Sequence, residues 1–165
     1  MPTTATSSLT SGAASLWTLA GLIALCLGVG WAGSLLTIDE IPTWYASLNK
    51  PAWTPPSWLF GPVWTTLYVL IGIAGWRVAR REAPAHDAWW IWWVQLALNG
   101  LWTPIFFGAH RLGIALIVIV ALVAAVAIFI RLTWARDRLA SLLFVPYLIW
   151  ISYATNLNAA ILWLN

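Results

Sequence analysis

Long apolar runs, separated by connections of different length, make up most of the chain. Five runs reach the roughly 20 mostly apolar residues that a transmembrane helix needs, and none has a charged residue in its central part. Most of the connections are short, so consecutive helices should be antiparallel neighbours. The pattern predicts an all-α membrane protein, a five-transmembrane-helix bundle that forms a single domain over residues 16–165. The predicted helices cover about residues 16–36, 57–78, 88–107, 112–134 and 139–162.

Two segments lie outside these runs. Residues 1–15 are small and polar without Lys or Arg, which predicts a disordered N-terminal tail and not the charged start of a signal peptide. The connection 37–56 contains the stretch WYASLNKPAWTPP, in which prolines restrict the backbone beside two tryptophans and a tyrosine. The sequence therefore predicts a long aromatic and proline-rich loop between helices 1 and 2. Such a loop suits a lid over the bundle, and a simple plug of the bundle end is the alternative.

Composition and charge support a membrane location. Charged residues make up 8% of the chain, against about 25% in soluble domains, and a net charge of +3 does not indicate a nucleic-acid partner. Most basic residues fall on the side of the N-terminal tail, whereas Lys50 and Arg111 fall on the other side. We expect a multi-pass protein of a bacterial cell envelope, with inner or outer membrane left open. In an inner membrane, the positive-inside rule places the N-terminus in the cytoplasm and the first loop outward.

Tryptophan is used 15 times, and its positions allow two interpretations. Near helix ends, the membrane interface suits tryptophan because the indole N–H stays wet while the ring is buried. This interfacial placement is expected for Trp17, Trp76, Trp89, Trp90, Trp92, Trp93, Trp134 and Trp163. Trp64, Trp102 and Trp150 lie further inside their helices, where lining a pocket and plain core packing are the two alternatives.

Three predicted helices carry polar and aromatic residues at helical spacing, so that each set lies on one face. Unsatisfied polar groups are costly in hydrocarbon, so these faces should turn to the bundle interior, where they can line a cavity. For Asn99, helix–helix hydrogen bonding is the alternative role. The three faces are Phe60, Trp64 and Tyr68; Gln95, Asn99, Trp102 and Phe106; and Tyr147, Trp150, Ala154 and Asn158.

The same residues carry a resemblance to a known family. The loop stretch WYASLNKPAWTPP is followed by GPVW at 61–64, QLALNGLW at 95–102 and FFG at 106–108. The last helix adds Pro146-Tyr147-Leu148, Trp150, Ala154-Thr155 and Leu157-Asn158. Over about residues 16–165 the chain resembles the tryptophan-rich sensory protein and translocator protein family (TspO/MBR), whose mitochondrial members are peripheral-type benzodiazepine receptors.

The resemblance implies a five-helix bundle, commonly a homodimer, with a ligand pocket beneath the first loop. It implies a sensory or regulatory membrane protein that binds a tetrapyrrole, protoporphyrin IX or haem. The residues themselves show no metal-binding cluster and no nucleophile–base pair in these faces, so we expect no metal, no catalytic residue and no obligatory cofactor. The ligand-binding set expected from the resemblance and from the inward faces is Trp44, Trp53, Phe60, Trp64, Asn99, Trp102, Phe106, Tyr147, Trp150 and Ala154.

Other functions and ligands are weighed against this one. The family's animal members bind cholesterol, but no Lys or Arg follows Tyr153, so the usual sterol pattern is absent and sterol binding is in doubt. Ala52 replaces an aromatic residue of some bacterial members. A transporter or facilitator of porphyrins or other small apolar ligands is one alternative, although the helices lack the intramembrane charge that ion coupling needs. Light-dependent porphyrin degradation, with Trp64 or Trp150 as electron donor, is the other.

Overall fold

The computed structural model describes residues 5–80 and 86–165, and all regular structure in these ranges is helical. This confirms the predicted all-α class. A 3-10 turn, Ser57–Leu59, leads from the loop into the third helix, and a π-helical turn, Pro104–Gly108, extends the fourth. The six α-helices of the described residues are α1 (Ala5–Thr37), α2 (Trp44–Ser47), α3 (Phe60–Ala79), α4 (His86–Thr103), α5 (Leu112–Trp134) and α6 (Arg138–Leu164).

Four stretches of the described residues are long and apolar enough to cross a membrane, which makes the chain a multi-pass membrane protein. Helix α4, with 18 residues, falls outside this set because its tryptophans and its polar residues, among them Gln95 and Asn99, lower its mean hydropathy. The four stretches end within a few residues of the boundaries that the apolar runs predict. They are Ser15–Thr37, Ser57–Ala79, Leu112–Trp134 and Arg138–Leu164.

Helix α1 begins at Ala5, inside the segment 1–15 for which the sequence predicts a disordered tail. Residues 1–4 of that segment lie outside the described residues. The backbone of residues 5–15 continues the helix of the first membrane span, and this part of the chain contains alanine and leucine and no proline. A low charge and small polar side chains indicate disorder from composition alone, but they do not stop a neighbouring helix from extending.

Around the bundle, neighbouring helices follow the order α1, α3, α6, α5, α4, and α4 returns to α1. Two glycines of α3 set how closely its neighbours approach. A Cβ at Gly72 would lie 2.8 Å from the Cα of Ile23 on α1, and a Cβ at Gly75 would lie 2.5 Å from the indole of Trp92 on α4. Small residues allow membrane helices to pack at such short distances. These two glycines therefore allow α1 and α4 to pack closely against α3.

Trp92 corrects the expectation that the tryptophans near helix ends all lie at the interface. Its ring is completely buried, and its indole N–H donates to the carbonyl oxygen of Ile71 at 3.0 Å. Trp89 stacks on it, with ring centroids 5.3 Å apart. The indole can leave the interface because a helical carbonyl of α3 offers a second lone pair inside the bundle. Trp17 and Trp163 are highly exposed, as an interfacial position requires.

Candidate functional site

A cavity of about 530 Å³ lies in the half of the bundle nearest the loop. All six helices contribute to its wall, with the small helix α2 supplying Tyr45. None of the described residues that line it carries a charge. Its volume falls within the range of about 300–1,000 Å³ that is typical of ligand pockets. The cavity is therefore large enough for a small organic ligand and suited to an apolar one.

Aromatic rings form much of the cavity wall. Trp64 and Tyr68 stack along α3 with ring centroids 5.4 Å apart. Trp102 stacks on Phe106 at 4.8 Å across the junction of α4 with the π-turn. Spacings of four residues place both pairs on single helix faces, as the sequence pattern indicates. The wall thus offers several flat faces for stacking on a planar ligand.

Seven members of the expected ligand-binding set line this cavity. The helical spacing that grouped them brings side chains of α3, α4, the π-turn and α6 to one space. Their contact with a ligand stays a prediction. The seven are Phe60, Trp64, Asn99, Trp102, Phe106, Trp150 and Ala154.

The other three members, Trp44, Trp53 and Tyr147, lie outside the cavity lining. Trp44 stacks on His110 at 4.0 Å and meets the edge of Phe106 at 5.7 Å, so it lies behind the wall. Trp53 is about half exposed in the loop. Tyr147 is completely buried in the bundle core. In this structure any ligand contact by these three side chains would need them to move.

Asn99 joins three helices through its side-chain amide. The Tyr68 hydroxyl donates to Asn99 Oδ1 at 2.7 Å, and Asn99 Nδ2 donates to the Tyr147 hydroxyl at 2.8 Å. These bonds connect α4 with α3 and α6. The alternative role considered for Asn99, helix–helix hydrogen bonding, is thus present in the structure, at a position that also borders the cavity.

Two indole N–H groups on the wall are in different states. Trp102 Nε1 donates to Asn158 Oδ1 at 3.3 Å, and Asn158 Nδ2 in turn donates to the carbonyl of Leu112 at 3.0 Å. Trp150 Nε1 is buried and has no hydrogen-bond partner among the described residues. Leaving such a donor unpaired costs about 1–3 kcal/mol. Because this nitrogen is itself buried, an acceptor on a ligand would reach it only after the indole ring turns.

The loop that covers the cavity is held by its own side chains. The Lys50 ammonium donates to the carbonyls of Tyr45 at 2.6 Å and Leu48 at 2.9 Å, which fixes the end of α2. The Tyr153 hydroxyl donates to the carbonyl of Trp53 at 2.8 Å. Desolvation, with a smaller effect of Tyr153, raises the pKa of Tyr45, so its phenol is neutral at physiological pH. The loop is an ordered cap with uncharged aromatic groups beneath it.

Several cavity residues were absent from the expected set. Tyr68 belongs to the α3 face at the same spacing as Trp64, so the sequence contained the signal. Gly30 and Trp31 of α1 also line the cavity. Helix α1 has no polar stripe, so its apolar pattern does not distinguish a lipid-facing side from a cavity-facing one.

The chain matches a known family model and several known proteins. The model of the TspO/MBR family matches residues 22–164. Protein CrtK of Rhodobacter capsulatus is 44% identical over 137 residues, which are 81% of this chain and 86% of that protein. The tryptophan-rich sensory protein of Cereibacter sphaeroides is 43% identical over 143 residues, covering 87% and 88%. The human translocator protein is 39% identical over 133 residues, covering 78% of each chain. This chain therefore belongs to the TspO/MBR family.

Proposed function

We propose that the protein binds a tetrapyrrole of the porphyrin type in the cavity beneath the loop and acts as a membrane sensory or regulatory protein. The observation that carries this proposal is the uncharged, aromatic lining of a cavity of about 530 Å³. A porphyrin is a broad, flat and apolar macrocycle, and stacked aromatic side chains bind such faces well. The name of the relative from Cereibacter sphaeroides, tryptophan-rich sensory protein, agrees with a sensory role.

The carboxylates of protoporphyrin IX or haem need a polar environment at the cavity mouth. Lys50 is engaged with loop carbonyls and is poorly placed to serve them. Arg111 is exposed at the start of α5, and its side chain has no partner among the described residues. It follows His110, whose ring lies on Trp44 of the loop. Arg111 is therefore the basic residue that we assign to a ligand carboxylate.

We further propose that α4 is a fifth membrane span. It packs against α5 and borders the cavity through Asn99 and Trp102. Its tryptophans lower its hydropathy without making it polar, since Trp92 is satisfied inside the bundle. With five spans, the loop and the C-terminal end of α6 lie on one side of the membrane. The positive-inside rule makes that side the outer one in an inner membrane.

Filling the cavity tests the proposed ligand. Protoporphyrin IX would be titrated into the purified protein in detergent, with tryptophan emission as the readout. Ala154 lines the cavity, so Ala154→Phe should reduce its volume and weaken binding by about tenfold, a loss of about 1.4 kcal/mol. The matched control is Ala121→Phe, which adds the same ring at an exposed position of α5.

The wild type should give saturable quenching with one site, and the control variant should match it. Equal affinity in all three proteins would mean that the porphyrin binds elsewhere or partitions into the micelle, and the proposal would be wrong. Thermal unfolding of each variant checks that the fold is intact. The homodimer, transport, and light-dependent degradation stay predictions, as does the doubt about sterol binding.

A further inference from the structure

Exposure on the cavity wall is confined to one side of the bundle. Every exposed lining residue lies within the segments 27–38 and 57–65, and the lining residues from α2, α4, α5 and α6 are all buried or half-buried. The exposed positions on the first segment recur at helical spacing and form one stripe along α1 and just beyond it. They are Leu27, Trp31, Ser34 and Ile38.

A second stripe borders the same cavity on the neighbouring helix. Its positions follow one another at intervals of four and run from the 3-10 turn into α3. They are Ser57, Gly61 and Thr65. Two exposed stripes that border one cavity define a lateral gap between α1 and α3. We propose that this gap is a window through which the cavity takes its ligand from the lipid phase, an inference that rests on the proposed function.

The two helices touch as far as the level of Gly30 and separate between Gly30 and the loop. A Cβ at Gly72 would meet the backbone of Ile23, and one at Gly30 would lie 2.4 Å from the Tyr68 ring. A Cβ at Gly61 would meet nothing within 4 Å. Trp31, the first stripe position beyond Gly30, lies six residues before the end of α1, which corresponds to about 9 Å along the helix. The window thus reaches about a third of the way into a hydrocarbon core about 30 Å thick.

The edges of the window are compatible with lipid. The Ser34 hydroxyl donates to the carbonyl of Trp31 at 2.7 Å, and the Thr65 hydroxyl donates to the carbonyl of Gly61 at 2.9 Å. Both hydroxyls are satisfied within their own helix, as groups that face hydrocarbon must be. Neither stripe contains a charged residue. An apolar ring can therefore pass Ser34 and Thr65 without meeting an unpaired hydroxyl at either.

Contacts of the loop hold it against the C-terminal end of α6 and the start of α5. Asn49 and Asn165 exchange backbone and side-chain hydrogen bonds, with Asn165 Nδ2 donating to the Asn49 carbonyl at 3.0 Å. His110 Nε2 lies 3.0 Å from Glu40 Oε2 and ties another part of the loop to the start of α5. Access from water needs these contacts to break, whereas access through the window needs none of them to change. The ligand class that fits is an amphiphile with an apolar body that partitions into the bilayer.

Labelling of a cysteine inside the cavity tests the window without relying on a porphyrin. The protein would carry Ala154→Cys with Cys26→Ser and be placed in lipid nanodiscs, so that both membrane faces are open to solvent. Two probes are compared: an N-alkyl maleimide that partitions into lipid and a sulfonated maleimide that stays in water. We expect the lipid-soluble probe to react at least about tenfold faster than the soluble one.

A side chain in the window should slow this reaction. Gly61→Leu has room for its Cβ, so the fold should persist while labelling by the lipid-soluble probe falls about tenfold, which corresponds to about 1.4 kcal/mol of added barrier. The matched control is Gly28→Leu. Gly28 is exposed on α1, meets nothing within 4 Å and does not line the cavity. Its labelling rate should equal that of the parent protein.

The outcomes separate the window from the ligand. Equal rates for both probes, or no effect of Gly61→Leu, would overturn the window in favour of access from water. No labelling by either probe, in protein whose thiol reacts fully in SDS, would overturn it as well. If the window is present and protoporphyrin IX binds, Gly61→Leu should slow association and dissociation together. Failure of protoporphyrin IX to bind the wild type would overturn the proposed function alone.

Discussion

The two halves of the bundle are built from similar residues and differ in how these residues meet. In the half away from the loop, Phe129 and Phe144 stack at 4.0 Å and Trp92 fills the recess above Gly75. In the half beneath the loop, aromatic rings stack around a cavity, and the indole N–H of Trp150 has no partner within residues 5–80 and 86–165. Aromatic content alone therefore predicts neither a solid core nor a cavity.

What distinguishes the halves is whether the space beside the large rings is filled. Trp92 is matched by a glycine on the facing helix. Beneath the loop, Trp64 faces Tyr147 edge-on at 6.2 Å and Phe60 faces Trp150 at 5.6 Å. Rings meet rings in both halves, but beneath the loop they surround a cavity of about 530 Å³, and protein interiors have few voids of that size. The comparison makes the half beneath the loop the candidate site and the other half its support.

The largest loss of stability should come from removing the ion pair and helix cap that Asp137 forms in the solid half. Asp137 is almost fully buried, its Oδ1 lies 2.9 Å from an Arg77 nitrogen, and it caps α6 by accepting from the N–H of Ala140 at 3.1 Å. Asp137→Ala removes both roles, so we expect the free energy of unfolding to fall by about 3 kcal/mol. The measurement is equilibrium unfolding by SDS in detergent micelles.

The conservative variant Asp137→Asn keeps an oxygen for the cap and loses only the charge, so it should cost less than Asp137→Ala. Porphyrin affinity of folded protein should stay unchanged in both variants, because neither Asp137 nor Arg77 lines the cavity. A loss of affinity without a loss of stability would show that the two halves are not separate in function.

A methyl group placed in each half should give opposite results. At Gly75 the added Cβ would lie 2.5 Å from the Trp92 indole, whereas at Gly61 it would meet nothing. Gly75→Ala should therefore cost about 1–3 kcal/mol through overpacking. Gly61→Ala should be neutral or slightly stabilising, since alanine is the better helix former. Thermal unfolding of the two variants in parallel makes the comparison, and equal costs would contradict the division into a solid and a hollow half.

The sequence predicts the elements of this fold better than it predicts the cavity. Apolar runs of sufficient length fix the four spans, and helical spacing places Phe60 and Trp64 on one inward face. The same spacing cannot show that Trp92 is buried, because its recess depends on Gly75 of another helix. It also cannot show that Trp44 lies behind the wall, since that follows from the stacking of Trp44 on His110 across two connections. The position of the cavity depends on contacts between helices, and the residue pattern along a single helix does not contain that information.

The smallest predicted effect concerns Asn99, which lies where the two halves meet. The hydrogen bonds of its side-chain amide to Tyr68 and Tyr147 connect the cavity wall with the core. Interhelical hydrogen bonds of this kind contribute about 0.6 kcal/mol on average in a measured membrane protein. A double-mutant cycle of Asn99→Ala and Tyr147→Phe should therefore give a coupling free energy of about 1 kcal/mol or less, measured by SDS unfolding.

Tyr147→Phe then separates support from ligand contact. Tyr147 does not line the cavity, so in folded protein its loss should leave the affinity for protoporphyrin IX unchanged, although the amide of Asn99 loses its acceptor. If Asn99 instead turns its freed N–H to the ligand, affinity should rise in Tyr147→Phe and return to the wild-type value when Asn99→Ala is added. Unchanged affinity in Tyr147→Phe would mean that Asn99 only supports the wall. A raised affinity that Asn99→Ala abolishes would mean that Asn99 can contact the ligand once its hydrogen bond to Tyr147 is removed.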